Sequence, residues 1–144
     1  MKKYLTVVSF LLISVLSSLA VIAQADVDPE VILSSTEIRM FNDDEQSLDV
    51  TIKNTETKSD TFTISVFPPE FKGLTVTPEV NHVNLGPGET RTVKLTFRSP
   101  VEVKICEPQV ETCPVAYTIT ILSTSDDSIT TTKDIQAQIK NFLN

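Results

Sequence analysis

The sequence predicts an all-β protein: an antiparallel β-sandwich of about seven strands, preceded by a helical leader. Three observations carry this prediction. Apolar and polar side chains alternate after residue 30, polar turn clusters separate the alternating segments, and all three glycines lie between residues 73 and 88. A period of two puts every second side chain on one face of a strand, so each segment has one face for a core and one for water.

The chain opens with a pattern typical of an export signal. Two lysines precede an uncharged apolar run over residues 5–22, and the small-x-small pattern A-Q-A then ends at Ala25. Cleavage after Ala25 divides the chain into a signal peptide, residues 1–25, and a domain, residues 26–144. A helix of 18 residues is about 27 Å long, close to the thickness of a bilayer. An uncleaved membrane anchor through residues 5–22 is therefore the alternative.

Seven segments carry apolar residues at alternate positions and are predicted as strands. They lie around residues 48–52, 61–66, 74–78, 83–85, 90–97, 115–121 and 135–139. Pro68 and Pro100 are each expected to end one of these strands, because proline has no N–H to donate to the hydrogen bonds between strands. At the C-terminal end, Ile135, Ile139 and Phe142 also fit one helical face, so a short helix is the alternative there.

The glycine-rich segment between residues 73 and 90 reads as two short strands and a reversal. Gly86-Pro87-Gly88 turns the chain so that the strand at residues 90–97 can run through the middle of a sheet. Glycine is needed where the turn demands a positive φ, while Asn, Asp and Ser serve in the other turns.

The length and net charge of the chain limit the functions that it can have. A chain of 144 residues has room for one domain, and its formal charge of −7 becomes −9 once the leader and its two lysines are removed. This acidic balance argues against binding to nucleic acid or anionic lipid.

The only two cysteines, Cys106 and Cys113, both follow the leader. A lone nearby pair outside the reducing cytosol is expected to form a structural disulfide, which would stabilise the domain by about 2.5 kcal/mol on the chain-entropy model. Two thiols cannot complete a four-ligand zinc site, and their spacing is not the redox C-x-x-C.

Three stretches, SLDVTIKNTETKSDTFTISV, GLTVTPEVNHVNLGPGETRTVKLTF and PVAYTITILSTSD, together resemble known modules. They are similar to immunoglobulin-like β-sandwich modules of the alpha-galactosidase-associated, CARDB and abnormal-spindle/hydin type, in exported prokaryotic surface proteins. The resemblance covers roughly residues 31–140 and implies the immunoglobulin-like fold. Such modules serve as surface scaffolds, adhesins, pilus-like subunits and spacers in enzymes. The chain departs from their pattern after Ile52, where the turn lacks glycine, and in the loop from Cys106 to Cys113.

Residue types that support catalysis are scarce. His82 is the only histidine and lies among turn residues with no G-x-S-x-G signal, which indicates a surface residue rather than a catalytic one. Tyr117 is placed like the tyrosine of a tyrosine corner, whose hydroxyl caps the preceding loop, or is a plain core tyrosine. We therefore expect no catalytic residue, cofactor or enzyme activity.

Acidic turns at residues 42–45 and 126–127 offer oxygen atoms of the kind that calcium prefers. In an immunoglobulin topology the two turns lie at opposite ends of the sandwich, so they could not share one ion. The favoured interpretation is solvated turns, and no metal site is predicted.

The aromatic cluster F-P-P-E-F, residues 67–71, is the strongest candidate for an interaction surface. Phe67 breaks the alternation and points opposite to Val66, so Phe67 and Phe71 are a candidate patch for a neighbouring subunit, or a lid over the open edge of the core. The segment at residues 26–33 carries apolar residues. It could be donated as a strand to the sheet of another chain, or it could pair within its own domain.

These observations predict a non-catalytic exported or cell-surface structural or adhesion module, a candidate subunit of an envelope or filament assembly. Protein partners or self-assembly are expected, and contact with membrane only through the leader if it stays uncleaved. The alternative is an accessory or substrate-positioning module that binds an extracellular enzyme.

Overall fold

A computed structural model of the protein describes residues 27–100 and 111–140. These residues form two five-stranded sheets, which confirms the predicted immunoglobulin-like β-sandwich. The strands in chain order are β1 (Glu30–Leu33), β2 (Glu37–Met40), β3 (Glu45–Lys53), β4 (Asp60–Phe67), β5 (Glu70–Phe71), β6 (Leu74–Pro78), β7 (His82–Leu85), β8 (Thr90–Arg98), β9 (Thr112–Ser123) and β10 (Thr130–Lys140). One sheet has the order β1-β3-β8-β6-β5 and the other β2-β10-β9-β4-β7.

Each sheet is built on a long antiparallel pair. In the first sheet, β3 and β8 pair over nine residues, from Glu45 opposite Arg98 to Lys53 opposite Thr90. In the second sheet, β9 and β10 pair over eleven residues and β4 lies on the other side of β9. These registers define two ends of the sandwich, one where β3 begins and one where it ends.

The structure differs from the sequence prediction in strand number and direction. Ten strands lie in the described residues, because β1, β2 and the two-residue β5 add to the seven predicted ones. The sandwich is not wholly antiparallel, since β2 runs parallel to β10 with Ile38 opposite Ala137. The helical alternative at the C-terminal end is wrong up to Lys140, where β10 ends; Phe142 lies outside the described residues.

The N-terminal segment stays with its own domain. β1 pairs antiparallel with β3, with Val31 opposite Ile52, and the Val31 side chain is buried. Residues 30–33 are therefore an edge strand of the first sheet in this chain.

The core lies between the sheets and takes the alternating apolar residues of both. Leu48, Val50 and Ile52 of β3 are almost fully buried, as are Ile119 and Ile121 of β9. Burial of such side chains contributes about 1.5–3 kcal/mol each. The period-two alternation therefore supplies the main driving force for closing the two sheets.

The glycine turn forms as the sequence predicts. The Gly86 N–H donates to the Glu89 carboxylate at 2.7 Å, and the Glu89 N–H donates back to the Gly86 carbonyl at 3.0 Å. Gly88 has a φ of +70°, in the left-handed region that disfavours residues with a Cβ. The turn thus joins β7 of one sheet to β8 of the other.

Tyr117 is a core residue. Its ring packs edge-to-face against Phe97, with the ring centroids 5.6 Å apart. Its hydroxyl is buried and has no hydrogen-bond partner among the described residues, so no tyrosine-corner bond forms with them. Burial raises the pKa of Tyr117 to about 12, because it disfavours the charged phenolate.

Replacing Tyr117 with phenylalanine is expected to leave stability unchanged or to raise the free energy of unfolding by up to about 1 kcal/mol. The substitution removes a buried hydroxyl that gains no hydrogen bond while keeping the ring contact with Phe97. Urea unfolding followed by circular dichroism measures the change. A loss of more than about 1 kcal/mol would show that the hydroxyl has a stabilising partner after all.

The described ranges, residues 27–100 and 111–140, contain no helical segment with the length and hydropathy of a membrane span. The predicted signal peptide and the apolar run at residues 5–22 lie outside this part of the chain. Their role as a cleaved leader or an anchor stays a prediction.

Candidate protein-binding end of the sandwich

Phe67 is the most exposed large apolar side chain described, with 74% of its surface accessible. In β4 the inward positions are Phe62 and Ile64, and Ser65 points to solvent. Phe67 lies two residues beyond Ser65 and therefore shares its outward direction. The predicted break in the alternation is thus a real exposure of an aromatic ring at the end of β4.

Phe71 follows on the next strand and is 38% exposed. A cis peptide bond joins Phe67 to Pro68, and the carbonyl of Pro69 accepts a hydrogen bond from the Val76 N–H at 3.1 Å. The ammonium of Lys72 lies 5.6 Å from the centroid of the Phe71 ring, within range of a cation–π contact. The connection between β4 and β6 is therefore fixed to the sheet while its rings stay accessible.

Phe41, which the sequence interpretation missed, is 43% exposed at the end of β2. Its carbonyl accepts a hydrogen bond from the buried Ser99 hydroxyl, which in turn accepts one from the Asp44 N–H at 3.0 Å. The same signal that identified Phe67 applies here, because Ile38 and Met40 point inward and Phe41 falls out of phase.

Phe41 and Phe71 lie at the end of the sandwich where β3 begins, and Phe67 precedes Phe71 by four residues. The Pro100 carbonyl accepts a hydrogen bond from the Asp43 N–H at 3.1 Å, which ties the loop after Phe41 to the end of β8. Gly73 packs against the same proline, since a Cβ there would lie 3.0 Å from Pro100 Cγ. Gly73 follows Phe71 by two residues. On the other sheet Phe67 lies opposite Thr118 of β9, whereas Met40, which precedes Phe41, is level with Ile139 and Cys113. We call Phe41, Phe67 and Phe71 the phenylalanine end.

A groove of about 580 Å³ begins at the phenylalanine end. Its lining residues come from β2, β9 and β10 and from Phe41. The Arg39 guanidinium pairs with Glu37 at 2.7 Å, and Lys140 pairs with Glu111 at 3.4 Å, so the charges along it are largely balanced. The groove is lined by Glu37, Arg39, Met40, Phe41, Thr112, Gln138 and Lys140.

The residues weighed for catalysis and metal binding do not come together. His82 is exposed on β7, and its Nδ1 lies 3.2 Å from the Thr63 hydroxyl. The Asp44 carboxylate accepts from the Glu45 N–H at 2.9 Å, and the Asp126 carboxylate accepts from the Ser128 N–H, also at 2.9 Å. The two acidic turns lie at opposite ends of the sandwich, as expected. In the described part of the chain no three His, Cys, Asp or Glu side chains gather into a metal site.

Cys113 lies half-buried at the start of β9, opposite Ile139 of β10, and is not a free thiol. Cys106 lies outside the described residues, so its predicted pairing with Cys113 stays a prediction.

Buried polar side chains concentrate at the other end of the sandwich. Asn54 is fully buried, and its side chain binds the carbonyls of Lys58 and Leu85 at 2.8 and 3.0 Å. Asp60 is 5% exposed, and its carboxylate accepts hydrogen bonds from the Ser123 hydroxyl and the Thr61 N–H. These contacts hold the loops at that end in place.

Neither a protein-family model nor a curated protein sequence matches this chain. Solved structures do match in fold. The ASH/PapD-like domain of human CEP192 is 10% identical, with a TM-score of 0.50 over 79% of this chain and 86% of that chain. The periplasmic chaperone SfaE is 9% identical, with a TM-score of 0.50 over 77% of this chain and 56% of its own.

A family 123 glycoside hydrolase from Clostridium perfringens is also similar. It is 9% identical, with a TM-score of 0.57 over 79% of this chain, but the match spans only 28% of the hydrolase. At these identities the comparisons show the fold alone, a PapD-like or immunoglobulin-like sandwich. The closer resemblance to alpha-galactosidase-associated, CARDB or abnormal-spindle/hydin modules stays a prediction.

Proposed function

We propose that this chain is an exported, non-catalytic structural or adhesion module that binds protein through its phenylalanine end, as a subunit of an envelope or filament assembly. The observation that carries the proposal is the exposure of Phe67, with Phe71 four residues further on and Phe41 also exposed. Exposed aromatic rings held on a β-sheet scaffold are typical of binding surfaces. The small-x-small pattern ending at Ala25 supports export, and export supports a Cys106–Cys113 disulfide.

The likeness to SfaE supports a role in protein contact, because that protein is a periplasmic chaperone built on the same kind of sandwich. A second copy of this chain is the first partner to test, since an assembly subunit must contact its neighbours. Burial of the rings of Phe67 and Phe71 would supply the main apolar contact in such an interface.

Replacing Phe67 and Phe71 together with serine is expected to weaken self-association at least tenfold, because each anchor ring in an interface contributes about 2 kcal/mol or more. Analytical ultracentrifugation over a range of concentrations measures the effect. Ile32 to serine is the matched control, because Ile32 is 57% exposed on β1, away from the phenylalanine end.

A chain that remains monomeric at every concentration, with no cross-linked partner in its native envelope, would contradict the proposal. So would an association that Ile32→Ser weakens as much as the double substitution does.

The second candidate function is an accessory module for an extracellular enzyme. It is favoured by one observation, the occurrence of a similar sandwich within a glycoside hydrolase. An accessory module should co-purify with a hydrolase from the native envelope, and a capture experiment that returns no hydrolase would remove this candidate.

A further inference from the structure

We propose that β7 is a self-association edge, through which two copies of this chain join their second sheets by antiparallel pairing of β7 with β7. The inference rests on the proposed assembly role and deepens it, because it names a second copy as the partner and gives it a contact separate from Phe67 and Phe71. An isologous contact of this kind closes a dimer by itself. A filament needs a further contact on each dimer, which the exposed phenylalanines would supply.

The backbone of β7 is paired on one side and open on the other. β7 is the last strand of the second sheet, and its sheet neighbour is β4. The Ile64 N–H donates to the Asn81 carbonyl at 2.8 Å, so alternate positions from Asn81 to Leu85 direct their backbone groups at β4. The N–H and C=O groups of His82 and Asn84 therefore point away from the sheet. No described residue forms a hydrogen bond with these four groups.

Two other edges have features that block the addition of a strand. On β2 the Ser35 hydroxyl donates to the Glu37 carbonyl at 2.6 Å and accepts from the Glu37 N–H at 3.1 Å. On β6 the Val76 N–H donates to the Pro69 carbonyl at 3.1 Å, and Pro78 has no N–H to offer. Backbone groups that a new strand would need are thus already bound or missing on these edges.

β7 also differs from the other edge strands in charge. β1, β2 and β5 each carry at least one acidic residue, whereas β7, with the sequence HVNL, has no acidic residue, lysine, arginine or proline. Charged residues and proline are the usual means by which proteins keep exposed edges from pairing. Without its leader the chain carries a net charge of −9, so two copies repel each other. They can approach at the lowest electrostatic cost along a strand without charge.

The sequence of β7 is self-complementary in the antiparallel register centred on Val83. This register places His82 of one copy opposite Asn84 of the other, and their outward N–H and C=O groups then form four hydrogen bonds across the two-fold axis. Both side chains are exposed, so the pairing requires no rearrangement of the core. The Nδ1 atom of His82 lies 3.2 Å from the Thr63 hydroxyl, which leaves Nε2 for the Asn84 amide of the other copy.

The first experiment isolates this edge in the exported Phe67→Ser/Phe71→Ser chain, from which the phenylalanine contact has been removed. Analytical ultracentrifugation should show a dimer. Asn84→Pro should raise its dissociation constant at least tenfold, because proline removes two of the four hydrogen bonds, one from each copy. Asn84→Ala is the matched control, since it keeps the N–H, and should change the dissociation constant less than about threefold. Circular dichroism checks that each variant is folded.

Charge substitutions test the register and the partner without using proline. His82→Lys/Asn84→Lys places lysine opposite lysine across the two-fold axis and should weaken the dimer at least tenfold, since like charges directly opposite each other are destabilising. His82→Lys/Asn84→Glu places lysine opposite glutamate at the same positions. It should keep the dissociation constant within about threefold of that of the unmodified edge, or lower it.

Failure of this inference can be told apart from failure of the proposed function. A Phe67→Ser/Phe71→Ser chain that is monomeric at every concentration, or a dimer that Asn84→Pro leaves intact, overturns this inference alone. Equal weakening by the two charge variants also overturns it, because only β7 paired with β7 in this register brings positions 82 and 84 together. Association that Phe67→Ser/Phe71→Ser leaves unchanged and Asn84→Pro abolishes supports the β7 edge and contradicts the phenylalanine contact.

Discussion

Replacing Asn54 with alanine is expected to lower the free energy of unfolding by about 3 kcal/mol, because it leaves several buried polar groups without a hydrogen-bond partner. The Asn54 side chain donates to the Lys58 and Leu85 carbonyls and accepts from the Glu56 N–H at 2.9 Å. Its backbone carbonyl also accepts from the Gly88 N–H at 2.9 Å. One fully buried residue thus joins the loop after β3 to the glycine turn.

Urea unfolding followed by circular dichroism measures this loss, and Asn84→Ala is the matched control. Asn84 is an exposed residue of β7, so its replacement should change the free energy of unfolding by no more than about 0.5 kcal/mol. A loss below about 1 kcal/mol in Asn54→Ala would mean that water replaces the lost hydrogen bonds and that the two turns are held mainly by the strands.

The strands that were predicted correctly are those whose own side chains show the pattern. Leu48, Val50 and Ile52 of β3 alternate over enough residues to identify a half-buried strand without any tertiary information. β5 has two residues and no buried side chain, so it carries no readable period. β2 does alternate, with Ile38 and Met40 buried, but over only four residues, fewer than the run that identifies β3. The parallel pairing of β2 with β10 is a contact between distant parts of the chain that alternation cannot encode.

Part of the candidate site could be predicted from sequence, because a break in the alternation of a strand can be seen in the residues of that strand alone. Phe67 could be assigned to the surface because its strand fixed the direction of its side chain. The position of Phe41 depends instead on the Ser99 hydroxyl, 58 residues away along the chain. The Asp60–Ser123 pair joins residues 63 apart, so a polar pair of this kind looks from sequence like any two turn residues.

Replacing Asp60 with alanine is expected to lower the free energy of unfolding by about 2–3 kcal/mol, since hydrogen bonds to a buried charged group are among the strongest. The carboxylate accepts from the Ser123 hydroxyl and, at 2.7 Å, from the Thr61 N–H. The same Ser123 hydroxyl also accepts from the Asp126 N–H at 3.0 Å. Removal of the carboxylate therefore loosens the turn between β9 and β10 as well as the start of β4.

The pH dependence of stability gives a second readout of the same group. Burial by itself would raise the pKa of Asp60, but hydrogen bonds from Ser123, Ser125 and the Thr61 N–H, with the charge of Lys58, outweigh it and the pKa is lowered. A lowered carboxyl pKa contributes stability that is present above the unfolded value of about 3.9 and is lost as the pH falls through the folded value.

Urea unfolding between about pH 5 and pH 2 should therefore show a smaller loss of stability on acidification in Asp60→Asn than in the unmodified chain, because the substituted residue no longer takes up a proton. Asp127→Asn is the control. Asp127 is exposed in the turn between β9 and β10, and its replacement should keep the original slope. Equal slopes in Asp60→Asn and the unmodified chain would mean that the Asp60 carboxyl has the same pKa folded and unfolded, and that the hydrogen bonds from Ser123 and Thr61 only offset its burial.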